Sequence, residues 1–133
     1  MPVEEGLERY AAQIVFGEHH QGGPGLAHGG IVSAALDEAC GLLATWHRFP
    51  TVTARIAVRY RRPAPINRPL ALSAWIVRER GRRIDVAAEL RDDDVLLASA
   101  EGAFLHVPLD HFLATPEGRA AGEAWRRRLD GGD

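Results

Sequence analysis

Lysine is missing from this 133-residue chain, and all 16 of its lysine-plus-arginine cations are arginine. A lysine Schiff base and a P-loop lysine are therefore outside its chemistry. Cysteine is nearly missing too. The single thiol, Cys40, excludes an intramolecular disulfide framework and a multi-cysteine zinc or iron–sulfur site, and it fits a reducing compartment. No stretch approaches the roughly 18 apolar residues of a membrane span, and the acidic opening MPVEEGLERY lacks an apolar core of signal-peptide length. The expectation is a cytoplasmic protein that neither crosses nor anchors in a membrane. A strong charge of either sign is also missing, and a formal net charge of −2 disfavours a general nucleic-acid binder.

What remains is ordinary globular composition, 46% hydrophobic and 26% charged, in a length that suits one domain. We read residues 1–133 as that domain, with a core over about 7–107 and a helical tail over 109–133. Leu7 to Gly17 has a mixed pattern that becomes strand-like toward Gln13–Phe16. Glu18 to Gly30 (EHHQGGPGLAHGG) is too rich in glycine to propagate a helix or a ladder, so it is a loop of specified shape. Ile31 to Trp46 is a long apolar helix, bounded by Gly29-Gly30 and Pro50. Strands are expected over Thr51–Arg62, Leu70–Glu79, Ile84–Arg91 and Val95–Val107. Turns at Arg80–Arg83 and Asp92–Asp94 connect them as an antiparallel meander. Pro116 to Leu129 reads as a terminal helix, capped by Thr115 and ended by Arg126, Arg127 and Arg128.

The fold class is thus α+β, a sheet wrapped around one long helix. One helix cannot cover both faces of a five-stranded sheet, so a face is exposed or pairs with a second copy. On the helix, Val32, Leu36, Leu43 and Trp46 form the large-residue side expected to meet the sheet, with Ala35, Ala39 and Leu42 at its margins. The opposite register, Gly30, Ser33, Ala34, Asp37, Cys40, Gly41 and Ala44, is small apart from one carboxylate. Gly41 there implies close approach by a partner backbone or a ligand. Asp37 in an apolar helix is either a carboxylate held for chemistry or one facing solvent or paired with an arginine. Just before the helix, His28-Gly29-Gly30 presents free N–H groups at the positive end of the dipole, suited to polarising a carbonyl. The bland reading is a tight helix entrance. His19, His20 and His28 lack the spacing and partners of a metal site, and no metal is expected. Cys40 reads as inert packing, and Ser33 lacks a nucleophile-elbow context.

The segment HQGGPGLAHGGIVSAALDEACG followed by TARIAVRYRRPAP resembles the hotdog-fold acyl-CoA thioesterases of the phenylacetate-degradation (PaaI-like) type. His28-Gly29-Gly30 opening the helix, an acid nine residues after His28, and Tyr60-x-x-Pro63 at a strand end carry the likeness. It implies a curved antiparallel sheet around the helix, a dimer joined edge to edge with sites at the subunit interface, and hydrolysis of an acyl-CoA thioester. A dimer of dimers is a further option. In that mapping Asp37 is the catalytic acid, the N–H of Gly29 polarises the thioester carbonyl beside His28, and Thr53 matches a hydroxyl that helps position water. Gly30 belongs to the same turn. Many members have Asn or Gln where this chain has Gly22, and Gln21 is the adjacent substitute. Arg61, Arg62, Arg82 and Arg83 sit at strand ends where CoA phosphates can be met. No cofactor is expected, since CoA is part of the substrate. Two other readings keep the fold: a non-catalytic acyl-CoA-binding sensor or scaffold, and a hydratase or dehydratase, whose motifs are missing.

Overall fold

The computed structural model describes residues 8–129, so Leu7, where the first pattern opens, and the final residues 130–133 lie outside the described residues. Five strands form one antiparallel sheet: β1 (Arg9–Ile14), β2 (Thr51–Tyr60), β3 (Leu70–Arg80), β4 (Arg83–Asp92) and β5 (Val95–His106). Helix α1 (Gly29–His47) lies against it, and helix α2 (Pro116–Leu129) follows a 3-10 segment at Leu109–Leu113. This is the hotdog arrangement, a curved sheet around a central helix. The side chain of Arg126, expected to cap α2, lies outside the described residues.

The strand order is β1-β3-β4-β5-β2, which corrects the expected simple meander. Only β3, β4 and β5 run hairpin to hairpin. Their two tight turns are made possible by Gly81 at φ +57° and Asp93 at φ +52°. Between β2 and β3, by contrast, the chain reads RRPAPINRP, and its three prolines deny it a tight hairpin, so β2 pairs with β5 instead. β1 also departs from expectation, spanning Arg9–Ile14 rather than strengthening toward Phe16. Its partner β3 begins at Leu70 opposite Ile14, just after Pro69, so no ladder exists for later residues. Phe16 turns inward and is only 2% exposed.

The buried side of α1 is Val32, Leu36, Ala39, Cys40, Leu43 and Ala44. Trp46, expected on the sheet side, is 84% exposed, whereas Cys40 and Ala44, expected opposite, are in the core. At 100° per residue the buried arc centres between Leu36 and Cys40, and Trp46 falls just beyond its margin. Proximity to the sheet chose the small residues; side-chain size did not choose the face. Across the core, Ile84, Val86, Ala88 and Leu90 of β4 and Leu70, Leu72, Ala74 and Ile76 of β3 complete the packing. The sheet's outer face is mixed, with Trp75 and Val77 beside charged groups. There Asp85 accepts from Arg83 at 2.7 Å and Arg78 at 3.1 Å, and although burial pushes its carboxyl up, these hydrogen bonds hold it below the usual range.

Candidate active site

The glycine-rich loop is pinned at both ends before it delivers the helix. Gly17 N–H donates to His20 Nδ1 at 3.0 Å, and Gly25 N–H, with φ at +76°, donates to Gln21 Oε1 at 2.6 Å. Ala27 N–H reaches Ala64 O at 2.8 Å and His28 N–H reaches His20 O at 2.7 Å. His28 is therefore held in an extended conformation as the N-cap of α1, and its Nδ1 accepts from Gly30 N–H at 2.9 Å. The His28 carbonyl takes Ile31 N–H and Val32 N–H. Gly29 N–H is left without a hydrogen-bond partner among the described residues, at the positive end of the helix. Gly30, grouped with it in the sequence, has its own amide engaged by His28.

Tyr60, at the end of β2, donates its hydroxyl to Gly29 O at 2.8 Å. Gly29, Tyr60, Arg61, Arg62 and Val32 line one groove. Arg61 and Arg62 are fixed there because both their N–H groups donate to Leu97 O, at 2.7 and 3.0 Å. Gln21 is turned to Gly25 instead of this groove. A side chain at Gly22 would bring its Cβ to 3.1 Å from His28 Cα, so any larger residue there would bear directly on the cap.

Asp37 is half-buried in a second groove, between α1 and β2, lined also by Glu38, Gly41, Leu42, Thr45, Thr51, Thr53 and Phe104. Its Oδ1 accepts from Thr53 Oγ1 at a long 3.3 Å, and no arginine pairs with it among the described residues. The structure thus brings together Asp37 and Thr53, both singled out in the sequence. Gly41, expected to admit a backbone or ligand, faces the Phe104 ring instead: its Cβ would lie 3.6 Å from Phe104 Cε2, an ordinary contact. Cys40 is buried, and burial, followed by the Asp37 charge, pushes its thiol up to about 12, so it is protonated and unreactive.

Eight residues of helix separate Gly29 from Asp37, about 12 Å at 1.5 Å per residue. No single carbonyl reaches both within one chain. The arginines divide likewise. Arg61 and Arg62 stand with Gly29, whereas Arg82 and Arg83 lie at the other end of the sheet, where Arg83 is committed to Asp85 and Arg82 O accepts from His106 N–H. Four participants were not singled out by sequence as site residues. Tyr60 had a signal, the Tyr-x-x-Pro strand end; Phe104 had a faint one, the glycine two residues before it; the Thr45–Thr51 pair had none.

Comparison with known proteins agrees with this architecture. The profile of the family described as thioesterase superfamily matches residues 24–99. The acyl-coenzyme A thioesterase THEM4 of Xenopus laevis is 25% identical over 93 residues, 70% of this chain but 42% of its own. The chain therefore spans less than half the length of this curated relative. A crystallised thioesterase superfamily protein, RHA08564, superposes with a TM-score of 0.69 at 32% identity, covering 73% of this chain and 48% of that one. A phenylacetic acid degradation-related protein described as a thioesterase, from Ralstonia eutropha JMP134, superposes with a TM-score of 0.69 at 23% identity over 73% of this chain and 75% of its own. With the family profile covering 24–99, more than half its length, and reaching from the glycine loop through the Asp37 helix into β5, this chain belongs to the thioesterase superfamily.

Proposed function

We propose that this chain hydrolyses an acyl-CoA thioester to the free carboxylic acid and CoA, at a site assembled from two copies. The observation that carries the reading is Gly29 N–H, free of any partner among the described residues and aimed from a helix N-terminus beside two arginines. Such a donor polarises the thioester carbonyl and stabilises the oxyanion that forms when the carbon is attacked. Asp37, whose carboxylate accepts from the Thr53 hydroxyl, serves as general base on water or as nucleophile itself. With Asp37 as base, the water oxygen bonds to the acyl carbon, the carbon–sulfur bond breaks and CoA leaves as the thiol with the proton Asp37 took from water. With Asp37 as nucleophile, its carboxylate displaces CoA thiolate to give an acyl–aspartyl anhydride, which water hydrolyses to the free acid and the Asp37 carboxylate, the released proton going to the thiolate. Thr53 positions the carboxylate, and Arg61 and Arg62 face the CoA phosphates.

The spacing of about 12 Å supports a site built from two copies, and β2 offers the edge that would join them. It is a ten-residue edge strand with one side unpaired, and it carries Thr53 near one end and Tyr60 at the other. Antiparallel pairing of two β2 strands centred near Ile56 places Asp37 and Thr53 of one copy against the Gly29 and Tyr60 end of the other. The test is release of free thiol from a panel of acyl-CoA esters by wild type and Asp37→Ala. Turnover that falls by about 10²-fold or more in the variant, with the dimer intact, is expected. Turnover unchanged in Asp37→Ala would remove the carboxylate from the mechanism.

A further inference from the structure

We infer that Tyr60 is a positioning residue: its hydroxyl locks the peptide between Gly29 and Gly30 and so aims the Gly29 N–H at the thioester carbonyl. The inference rests on the acyl-CoA reading above and adds the group that holds its donor in place. Gly29 and Gly30 are adjacent and lack Cβ atoms, so this stretch has more intrinsic backbone freedom than any other residue pair would have. A donor to an oxyanion needs the reverse. It works within about 2.7–3.1 Å of the oxygen and weakens steeply as the N–H tilts away.

The restraint comes from side chains, and two supply it at opposite ends of one peptide. Gly30 N–H donates to His28 Nδ1 at 2.9 Å, and Gly29 O accepts from the Tyr60 hydroxyl at 2.8 Å. With both polar atoms of that peptide held, its plane cannot swing about the Gly29 α-carbon, and the preceding N–H keeps its direction. The two restraints differ in origin. His28 is the N-cap of α1 itself, whereas Tyr60 belongs to β2, 31 residues along the chain from Gly29. The tyrosine therefore registers the donor against the sheet. Its ring assists, since a Cβ on Gly29 would lie 3.7 Å from Tyr60 Cε1 and Cζ, and the ring thus rests on the side of Gly29 where a side chain would be. β2 serves both reacting groups of α1 in this way, Thr53 donating to Asp37 and Tyr60 to Gly29. Tyr60 is 56% exposed, so water can take over its hydrogen bonding and the hydroxyl adds little to folding.

The test compares Tyr60→Phe, which keeps the ring, and Tyr60→Leu, which removes it, with wild type in the intact oligomer. NMR relaxation of glycine-labelled protein reads the Gly29 amide without any substrate. Its order parameter should fall from about 0.85 to below about 0.6 in both variants. Thiol release from an acyl-CoA ester should show kcat reduced about tenfold in Tyr60→Phe with KM held within about twofold, because a misaimed donor loses transition-state contact more than substrate binding. An unchanged order parameter or kcat in Tyr60→Phe, a loss confined to Tyr60→Leu, or a raised KM at unchanged kcat would overturn the inference, the last by making the hydroxyl a CoA contact. Wild type without turnover would sink the hydrolase reading alone, and the order parameter would still decide the clamp. Turnover with a rigid Gly29 in Tyr60→Phe would sink the clamp alone.

Discussion

Asp37 and Gly102 show how differently single residues announce themselves. A carboxylate inside an apolar helix stands out in any sequence, because burial demands a partner, and the structure supplies Thr53 at 3.3 Å. Gly102 is silent until Phe104 is placed over it. A methyl there would sit 2.7 Å from the ring, and the ring, 1% exposed, has nowhere to move. Gly102→Ala should therefore cost about 1–3 kcal/mol of stability through overpacking. Gly41→Ala should do the opposite, since its methyl meets the same ring at an ordinary 3.6 Å and the helix gains up to about 1 kcal/mol of propensity. Chemical denaturation of both variants beside wild type checks the pair; equal and opposite signs to these would refute this placement of the ring. Thr45 and Thr51 were illegible for a related reason: a hydroxyl pair linking residues 45 and 51 depends on how a helix leans on a strand, which no local pattern encodes.

Among the elements, α1 was legible in existence and extent, with observed bounds Gly29–His47 against an expected Ile31–Trp46. Its orientation was not, since the buried arc runs through Cys40 and Ala44 and leaves Trp46 outside. The end of α1 holds a second device. His47 Nδ1 and Nε2 contact Glu8 Oε1 at 2.9 Å and Glu79 Oε1 at 2.8 Å, tying the helix end to the approach to β1 and to β3. Arg48 joins from the adjacent position, 3.2 Å from Glu79 Oε2. Hydrogen bonds to Glu79 and then to Glu8 raise the His47 pKa above its usual 6.5, and the bond from His47 lowers that of Glu79 below 4.5. A raised histidine contributes stability that is full below pH 6.5 and is lost as pH rises through the higher folded value. A lowered carboxylate contributes stability that is full above 4.5 and is lost as pH falls through its folded value. The helix end is thus held best between these limits. Tm should decline as the pH is raised above about 6.5, and His47→Gln should flatten that decline; an identical slope in the variant would remove the clamp from the account.

At the scale of the whole molecule, the alternation of β2, β3, β4 and β5 disclosed strands and the apolar run disclosed the helix, so the α+β class and the wrapped sheet were readable before any coordinates. The order β1-β3-β4-β5-β2 was not, because pairing between distant strands is settled by which turns are tight and which connections are stiffened by proline. The arrangement also explains why the site residues looked like one motif in the sequence and fall into two places in space. His28, Gly29 and Asp37 are neighbours along the chain, yet α1 carries them about 12 Å apart. In the two-copy site proposed above, each chain would contribute a donor half to one site and an acid half to another.

This division has a genetic signature. On that proposal, a protein defective in Asp37 and one defective in the Gly29 cap should each fail alone, since every homodimer would lack the same half twice. Mixed after unfolding and refolding together, Asp37→Ala chains and Gly29→Pro chains should form heterodimers in which one site inherits both defects and the other inherits none. About a quarter of wild-type activity should return from an equal mixture, half of the dimers being mixed and each holding one intact site. Two inactive proteins would then restore each other without a single wild-type chain being present, and silence from the refolded mixture, with heterodimers demonstrated, would mean that each chain does its chemistry alone.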